Sequence, residues 1–420
     1  MFKTNSLSDA VIYLLSNILV AAIPFILLPF LTRYLTPDEY GQIAMFQVLI
    51  GALSALVGLS VHTLVGRKYY DDISKLELAK FVGVSLQLVL IIGSALIFLM
   101  YYLKEIISDF LAIPEHWLMF GIVTTVSIAV IQIRLILWQV SKAAVRYGTF
   151  QVGQAFLNLV ITVILVFVMT LGAEGRILAQ AVAGIVFLLF AIIWLKIDGM
   201  ISFLIWKPKY FKEIIRFGVP LIPHVAGIFL LVSIDRVIIA KELGLSAAGI
   251  YMVGIQVSMI FTIVFDAVNK AYVPWLYERL KLESREVKQK VVRISYIGFI
   301  ICLFIGFVSF FISPLIIPFV VGEEYFDVEN ILGWLILGQI FSGMYMLMAN
   351  YIFYSKKTGL LSLITITSGV INIGLLFIFV RYLGLEGASI AFCFAMIIRF
   401  FLTWLIANLR YPMPWFKFVK

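Results

Sequence analysis

The sequence is poor in charged residues and has very little cysteine. Only 13% of its 420 residues are charged and 63% are hydrophobic, whereas soluble domains have about 25% charged residues. The two cysteines, Cys302 and Cys393, lie in apolar runs without a C-x-x-C partner, which argues against a disulfide framework or a metal site. Because one soluble core cannot bury so much apolar surface, most of the chain is expected to face lipid.

The sequence also lacks the motifs of common enzymes. It has no Walker A sequence, no G-x-S-x-G, no H-E-x-x-H and no D-x-D beside a soluble domain. We therefore predict no ATP hydrolysis, no catalytic residues and no cofactor. The formal charge of +9 does not indicate nucleic acid, because the cations form short clusters between long uncharged runs, as is typical of membrane proteins.

Long apolar runs occupy most of the chain. A helix needs about 20 apolar residues to cross the hydrocarbon core, and about twelve runs reach that length. They do not alternate as β-barrel strands would, so we predict an all-α integral membrane protein. The predicted spans are residues 10–32, 41–65, 81–103, 117–140, 148–171, 177–195, 214–240, 248–271, 294–320, 331–354, 359–380 and 388–408.

Basic residues mark one side of the membrane. Clusters such as Arg67–Lys80 and Arg279–Arg293 lie in one alternate set of connections, together with both termini. By the positive-inside rule, this set and both termini are cytoplasmic. The other set of connections holds fewer cations, namely Arg33, Lys104, Arg176, Lys241 and Arg381.

Short motifs recur about 210 residues apart. Leu171–Gly175 reads L-G-A-E-G and Leu383–Gly387 reads L-G-L-E-G, and each joins the last two spans of a set of six. Six spans are an even number, so both sets enter the membrane in the same direction, as a parallel repeat. We predict a two-lobed bundle with six-helix lobes at residues 1–205 and 206–420, and a linker near residues 196–212.

Polar residues within the spans are the first candidates for substrate contacts. Gln151, Gln154 and Asn158 stand at i, i+3 and i+7 and therefore share one helical face. Such side chains are costly in lipid and usually face protein or a wet cavity. They indicate either a hydrated lumen or hydrogen bonds that only hold neighbouring helices together.

Ionisable residues within the spans are the second group of candidates. Arg399 lies near the middle of the last span, where it would contact an anion or form a buried ion pair. Arg134 lies nearer the inner end of its span and could extend to the interface. Asp235 and Arg236 are adjacent and point about 100° apart on a helix, so they are not expected to pair with each other. His224 could titrate near neutral pH or simply pack.

Prolines stand in the first span of each predicted lobe. Pro24 and Pro29 lie in the first span, and Pro220 and Pro223 lie in the seventh. Proline removes a backbone hydrogen bond and bends a helix. These four residues are candidate hinges of a gate, although a bend can equally be static.

Two segments resemble a known family. Residues 17–41 contain I-P-F at 23–25 and P-F-L-T-R-Y-L-T-P-D-E-Y-G at 29–41, and residues 234–251 begin with I-D-R and end with A-G-I-Y. This pattern resembles polysaccharide-unit flippases of the Wzx type, in the multidrug/oligosaccharidyl-lipid/polysaccharide exporter superfamily. The resemblance extends over the chain in length, number of spans and repeat, but it assigns no individual site residue.

The resemblance implies a function and a location. Such proteins move an undecaprenyl-pyrophosphate-linked oligosaccharide, the repeat unit of O-antigen in lipopolysaccharide or of another surface polysaccharide, from the cytoplasmic to the outer leaflet of the bacterial inner membrane. The implied partners are this lipid-linked substrate, membrane lipid, and glycan polymerase and chain-length machinery. Coupling to H+ or Na+ is left open.

Two other functions remain as alternatives. A cation-coupled drug or metabolite antiporter of the same superfamily needs an acidic site deep in one lobe, and the acids within the spans, Asp235 and Asp266, lie near span ends. A membrane glycan polymerase or glycosyltransferase usually carries a large outer loop, and here every outer connection is short.

Overall fold

The computed structural model describes residues 5–202, 207–355 and 359–415, and this part of the chain consists of α-helices and short connections. The helices are α1 Asn5–Tyr34, α2 Pro37–Val57, α3 Val61–Lys68, α4 Lys75–Leu111, α5 Glu115–Val140, α6 Ala144–Thr162, α7 Gly172–Ile197, α8 Pro208–Gly218, α9 Ile222–Val232, α10 Ile234–Leu243, α11 Leu245–Leu280, α12 Arg285–Val320, α13 Val328–Tyr354 and α14 Gly359–Arg410. A π-helical turn, Val163–Val168, continues α6.

The helices confirm the predicted membrane architecture. Among the described residues, 11 helical segments are long and apolar enough to cross a bilayer. The last of them is two spans in one, because Gly384 in α14 has non-helical dihedral angles (φ 58°, ψ −136°). Dividing α14 at this glycine gives the twelve spans expected from the apolar runs. The protein is an all-α, multi-pass membrane protein.

The repeated motif has the same backbone geometry in both halves. Gly172 has φ 57° and Gly384 has φ 58°, a left-handed conformation that glycine adopts without strain. Three residues later, a Cβ at Gly387 would lie 2.0 Å from the carbonyl oxygen of Phe379, and one at Gly175 would lie 3.0 Å from that of Leu165. Both motifs therefore need glycine at the same two positions, once for the turn and once for close helix packing.

The contacts divide the chain into two units. The first comprises residues 1–27 and 38–229, and the second comprises residues 28–37 and 230–420. The predicted boundary between residues 205 and 206 lies outside the described residues. The helix α8, which the sequence analysis assigned partly to the linker and partly to the second lobe, belongs by its contacts to the first unit.

Polar contacts hold α8 to the first unit. The ammonium of Lys68 on α3 lies 2.9 Å from a carboxylate oxygen of Glu213 on α8. The carboxylate of Glu77 on α4 lies 2.8 Å from the ammonium of Lys207 and also accepts a hydrogen bond from the hydroxyl of Tyr210. These contacts hold α8, which the sequence analysis divided between the linker and the second lobe, against α3 and α4 of the first unit.

The C-terminal end of α1 packs within the second unit. The backbone N–H of Gly322 donates a hydrogen bond of 3.0 Å to the hydroxyl oxygen of Thr32, and the hydroxyl of Tyr325 donates one of 2.8 Å to the carbonyl of Leu35. A Cβ at Gly322 would lie 2.2 Å from the carbonyl oxygen of Thr32, so only glycine fits here.

The prolines have different settings in the two halves. Pro24 and Pro29 lie inside α1, which runs without interruption from Asn5 to Tyr34. Pro220 lies in a 3-10 turn, Val219–Leu221, and Pro223 follows in the first turn of α9. The second pair therefore coincides with a break between helices. A hinge function of either pair stays a prediction.

Candidate functional site

The first unit contains a cavity of about 270 Å³ with a polar wall. Side chains of α1, α5, α6 and α7 surround it. Its described lining combines apolar residues with five amide side chains, one hydroxyl and one arginine. The lining residues are Val20, Ile23, Pro24, Leu27, Thr124, Ile128, Ile131, Gln132, Leu135, Gln151, Gln154, Ala155, Asn158, Arg176, Gln180, Ala183 and Gly184.

The predicted polar face of α6 lies on this cavity. Gln151, Gln154 and Asn158 all contribute to its wall, as their i, i+3, i+7 spacing predicts. The side-chain oxygen of Gln151 is buried without a hydrogen-bond partner in the structure. A buried acceptor without a partner is costly, so this oxygen is available to a ligand donor or a water molecule.

Arg176 brings the positive charge into the cavity. Its guanidinium donates hydrogen bonds of 2.9 Å to the side-chain oxygen of Asn158 and 2.9 Å to the hydroxyl of Thr162. Both partners are neutral, so they orient the guanidinium without cancelling its charge. The lining residues that the structure describes include no aspartate or glutamate, and the cavity therefore favours anionic or hydroxyl-rich ligands.

The sequence analysis missed Arg176 and counted it as an outer-side cation. The signal that could have identified it is its register on α7. Arg176, Gln180 and Gly184 stand at i, i+4 and i+8, and all three line the cavity. Residues with this spacing share one helical face, and the glutamine on that face receives a hydrogen bond of 3.1 Å from Gln47 on α2.

Arg134 is buried in a structural ion pair and does not line the cavity. Its residue surface is 1% exposed, and its guanidinium pairs with the carboxylate of Asp198 at the end of α7. It also stacks on Trp138, 3.9 Å from the ring centroid. Arg146 contributes a second, exposed contact to Asp198 at 3.4 Å. The geometry thus favours the interfacial interpretation of Arg134 over contact with substrate.

The two partners of this pair are expected to differ in their effect on stability. Asp198→Ala leaves a nearly fully buried guanidinium without a counter-charge and should lower the free energy of unfolding by about 3 kcal/mol. Arg134→Met should cost less, because Asp198 is partly exposed and keeps Arg146. Thermal unfolding of the purified protein in detergent measures both. Adding Arg134→Met to Asp198→Ala should restore much of the lost stability. A double variant that unfolds at a lower temperature than either single variant would contradict this account.

Arg399 lies in the second unit and stacks on an aromatic ring. Its guanidinium is 3.7 Å from the ring centroid of Tyr345, and its Nε is buried without a hydrogen-bond partner. Asp266, one of the two acids within the predicted spans, pairs with Lys270 at 2.6 Å. No ion pair within the described ranges involves Arg399. The guanidinium of Arg399 thus keeps one buried N–H donor, at Nε, without a hydrogen-bond partner.

Asp235 and Arg236 lie in α10 and are not among the described residues that line the cavity. Asp235 is 1% exposed and Arg236 is 8% exposed. The carboxylate of Asp235 accepts a hydrogen bond of 2.8 Å from the backbone N–H of Arg236, within the first turn of α10. The backbone of His224 is in α9, whereas its side chain lies outside the described part of the structure.

Helical architecture, repeat and polar cavity together define a multi-pass membrane protein with an internal site in one of its units. The chain belongs to a family described as "Polysaccharide biosynthesis protein", whose model matches residues 6–280. It is similar to an "Uncharacterized membrane protein" of Haemophilus influenzae, with 27% identity over 88% of this chain and 89% of the relative. It is also similar to a "Putative O-antigen transporter" of Shigella flexneri, with 27% identity over 55% of this chain and 57% of the relative.

Solved structures share the fold. An inward-facing multidrug resistance transporter of the MATE family and the MOP superfamily aligns with a TM-score of 0.67 and 17% identity, covering 95% of this chain and 94% of that one. A MATE structure in the straight conformation aligns with a TM-score of 0.57 and 18% identity, covering 96% and 93%. At these identities the likeness concerns the fold alone.

Proposed function

We propose that this protein is a flippase that moves an undecaprenyl-diphosphate-linked oligosaccharide from the cytoplasmic to the outer leaflet of the bacterial inner membrane by alternating access. The cargo is a repeat unit of O-antigen or of another surface polysaccharide. The observation that carries the proposal is the cavity of the first unit, whose described lining has one arginine, several amides and no carboxylate. Membership of the polysaccharide biosynthesis family supports it, as does the similarity to an O-antigen transporter.

The lining matches the chemistry of this cargo. A diphosphate or an acidic sugar presents anionic oxygens, for which a guanidinium is a strong, geometrically specific donor. Sugar hydroxyls both donate and accept, and amide side chains such as Gln151 and Gln154 offer both functions. Arg176 would therefore contact the anionic group and the glutamines the hydroxyls, while apolar residues of α1 and α5 leave the lipid tail free to remain in the bilayer.

The same lining argues against export of cationic drugs. A cationic ligand, or a coupling cation, needs a carboxylate close by in a medium of low dielectric constant. The cavity has none, and its one charge has the opposite sign to what such a ligand requires. A membrane polymerase or glycosyltransferase is equally disfavoured, because the described outer connections, such as residues 112–114 and 169–171, are too short to hold a catalytic domain.

Deletion of the gene tests the function directly. In a strain that displays a surface glycan, a clean deletion should abolish display and leave lipid-linked repeat units on the inner leaflet. Accumulation is measured by mass spectrometry of extracted polyprenyl lipids, and display by glycan-specific labelling of intact cells. Complementation with the wild-type gene should restore both, as should the gene for Arg381→Ala, an exposed arginine far along the chain from the cavity residues. Normal display in the deletion strain would contradict the proposal, and increased drug sensitivity would favour the antiporter.

A further inference from the structure

A second cavity of the first unit lies between α3 and α8 and has a different character. Its volume is about 260 Å³. It carries three cations and two acids over an apolar floor, and by the positive-inside rule it lies on the cytoplasmic side. The lining residues are Leu64, Arg67, Lys68, Asp71, Glu213, Arg216 and Phe217.

Lys68 forms ion pairs with both acids of this cavity. Its ammonium lies 2.9 Å from Glu213 and 3.2 Å from Asp71. Partial burial opposes the charge, but the hydrogen bonds to the two carboxylates outweigh it and raise the pKa of the Lys68 ammonium above its ordinary value. The two carboxylates therefore face a permanent counter-charge and do not turn towards the arginines.

Arg67 and Arg216 leave the cavity with a net positive charge, because with Lys68 they give its lining three cations against two acids. Both side chains are exposed at the cavity, and neither forms an ion pair with another residue in the described ranges. They come from different helices, one from the last turn of α3 and one from the last turn of α8. Two guanidiniums that meet at one cavity from separate helices are a common arrangement for binding a phosphate group.

The helix α8 places this cavity at the membrane surface. Lys209, Lys212, Glu213 and Arg216 stand at i, i+3, i+4 and i+7 and form one charged stripe. On the opposite side, Ile214 is fully buried against the unit. An amphipathic helix of this kind, rich in Lys and Arg and next to the start of a span, lies at the level of the lipid headgroups.

We propose that the cavity between α3 and α8 binds the phosphate group of a lipid in the cytoplasmic leaflet, with Arg67 and Arg216 as its ligands. Basic pockets beside membrane helices on the cytoplasmic side recognise anionic headgroups in this way. The phosphate comes either from a resident anionic phospholipid or from a polyprenyl diphosphate. The apolar floor, Leu64 and Phe217, accommodates the carbon atoms next to the phosphate. The inference does not depend on which cargo the protein transports.

Native mass spectrometry of the purified full-length protein tests this site. The protein is released from nanodiscs that contain phosphatidylcholine with either phosphatidylglycerol or undecaprenyl diphosphate, and retained lipid is counted. The double variant Arg67→Ala/Arg216→Ala should retain at least about tenfold less of the anionic lipid, phosphatidylglycerol or undecaprenyl diphosphate, because it loses two charge-assisted contacts. The matched control is Lys209→Ala/Lys212→Ala, which removes the same charge from outside the cavity and should retain lipid as the wild type does.

The outcomes separate the possible sources. Retention of phosphatidylglycerol assigns the site to a resident phospholipid, and selective retention of undecaprenyl diphosphate assigns it to loading of a lipid diphosphate. Equal retention by the arginine variant and the wild type would overturn the proposal, and so would an equal loss in the lysine control. Because both arginines are exposed, thermal unfolding should show the arginine variant to be folded, so lost binding is not lost structure.

Discussion

Arg176→Ala should reduce surface display of the glycan by about 10- to 100-fold at unchanged protein level. A hydrogen bond to a charged group contributes about 1.5–3 kcal/mol, and each 1.4 kcal/mol is about tenfold in affinity. Among the described residues, the arginine is the only charged one in the lining of the cavity of the first unit, so its loss leaves the anionic part of the cargo without a counter-charge. Glycan labelling of intact cells, normalised to the amount of protein in the membrane, measures the effect.

Two further variants separate charge from packing at this position. Arg176→Lys keeps the positive charge but loses the planar fork, so it should restore display in part. Asn158→Ala removes one of the two neutral groups that orient the guanidinium and should give an intermediate loss. If Arg176→Ala displayed glycan at the wild-type level, the anion would have to bind elsewhere. If it failed to accumulate in the membrane, the residue would be structural.

Arg399→Ala should likewise abolish glycan display without lowering the protein level. A cation near the midplane costs about 2.5–3.5 kcal/mol on insertion scales. Because this cost is high, we expect Arg399 to have a function in transport. In the structure its guanidinium stacks on Tyr345 at 3.7 Å and leaves Nε without a partner. A diphosphate or acidic sugar in transit would satisfy this donor.

The ring beneath Arg399 provides the control. Tyr345→Phe keeps the stacking surface and should leave display close to normal, and Arg399→Lys should retain part of it because it keeps the charge. A purely structural role would appear as a lower amount of protein in the membrane for Arg399→Ala. Full display from a stably inserted Arg399→Ala variant would rule out a role in transport.

The sequence was sufficient for the spans and the repeat because both depend on local features. Apolar length predicts a span, and the two L-G-x-E-G motifs predict a shared turn that Gly172 and Gly384 indeed form with almost equal φ. The polar face of α6 was also predictable, since residue spacing on a helix determines which side chains share a face.

The contacts that place the site could not be predicted because they depend on tertiary packing. Arg176 stands near a predicted span end, where charge counting treats every cation as part of a connection. Its hydrogen bond to Asn158 depends on the packing of α7 against α6. The burial of Arg134 depends on its ion pair with Asp198, 64 residues further along the chain. The attachment of α8 to the first unit likewise depends on Glu77 and Lys68, which no local pattern connects to it.

The packing of the C-terminal end of α1 has a consequence for biosynthesis. Thr32 and its partner Gly322 are separated by 290 residues, which a ribosome adds in about 15–60 s at about 5–20 residues per second. During that time the segment Leu28–Pro37 has left the ribosome, but the chain on which it packs does not yet exist. Assembly of the second unit therefore begins with residues made early and ends with residues made late. A fragment that starts after residue 230 would lack the segment Leu28–Pro37, which packs within the second unit, so this half of the molecule is not an autonomous product of late translation.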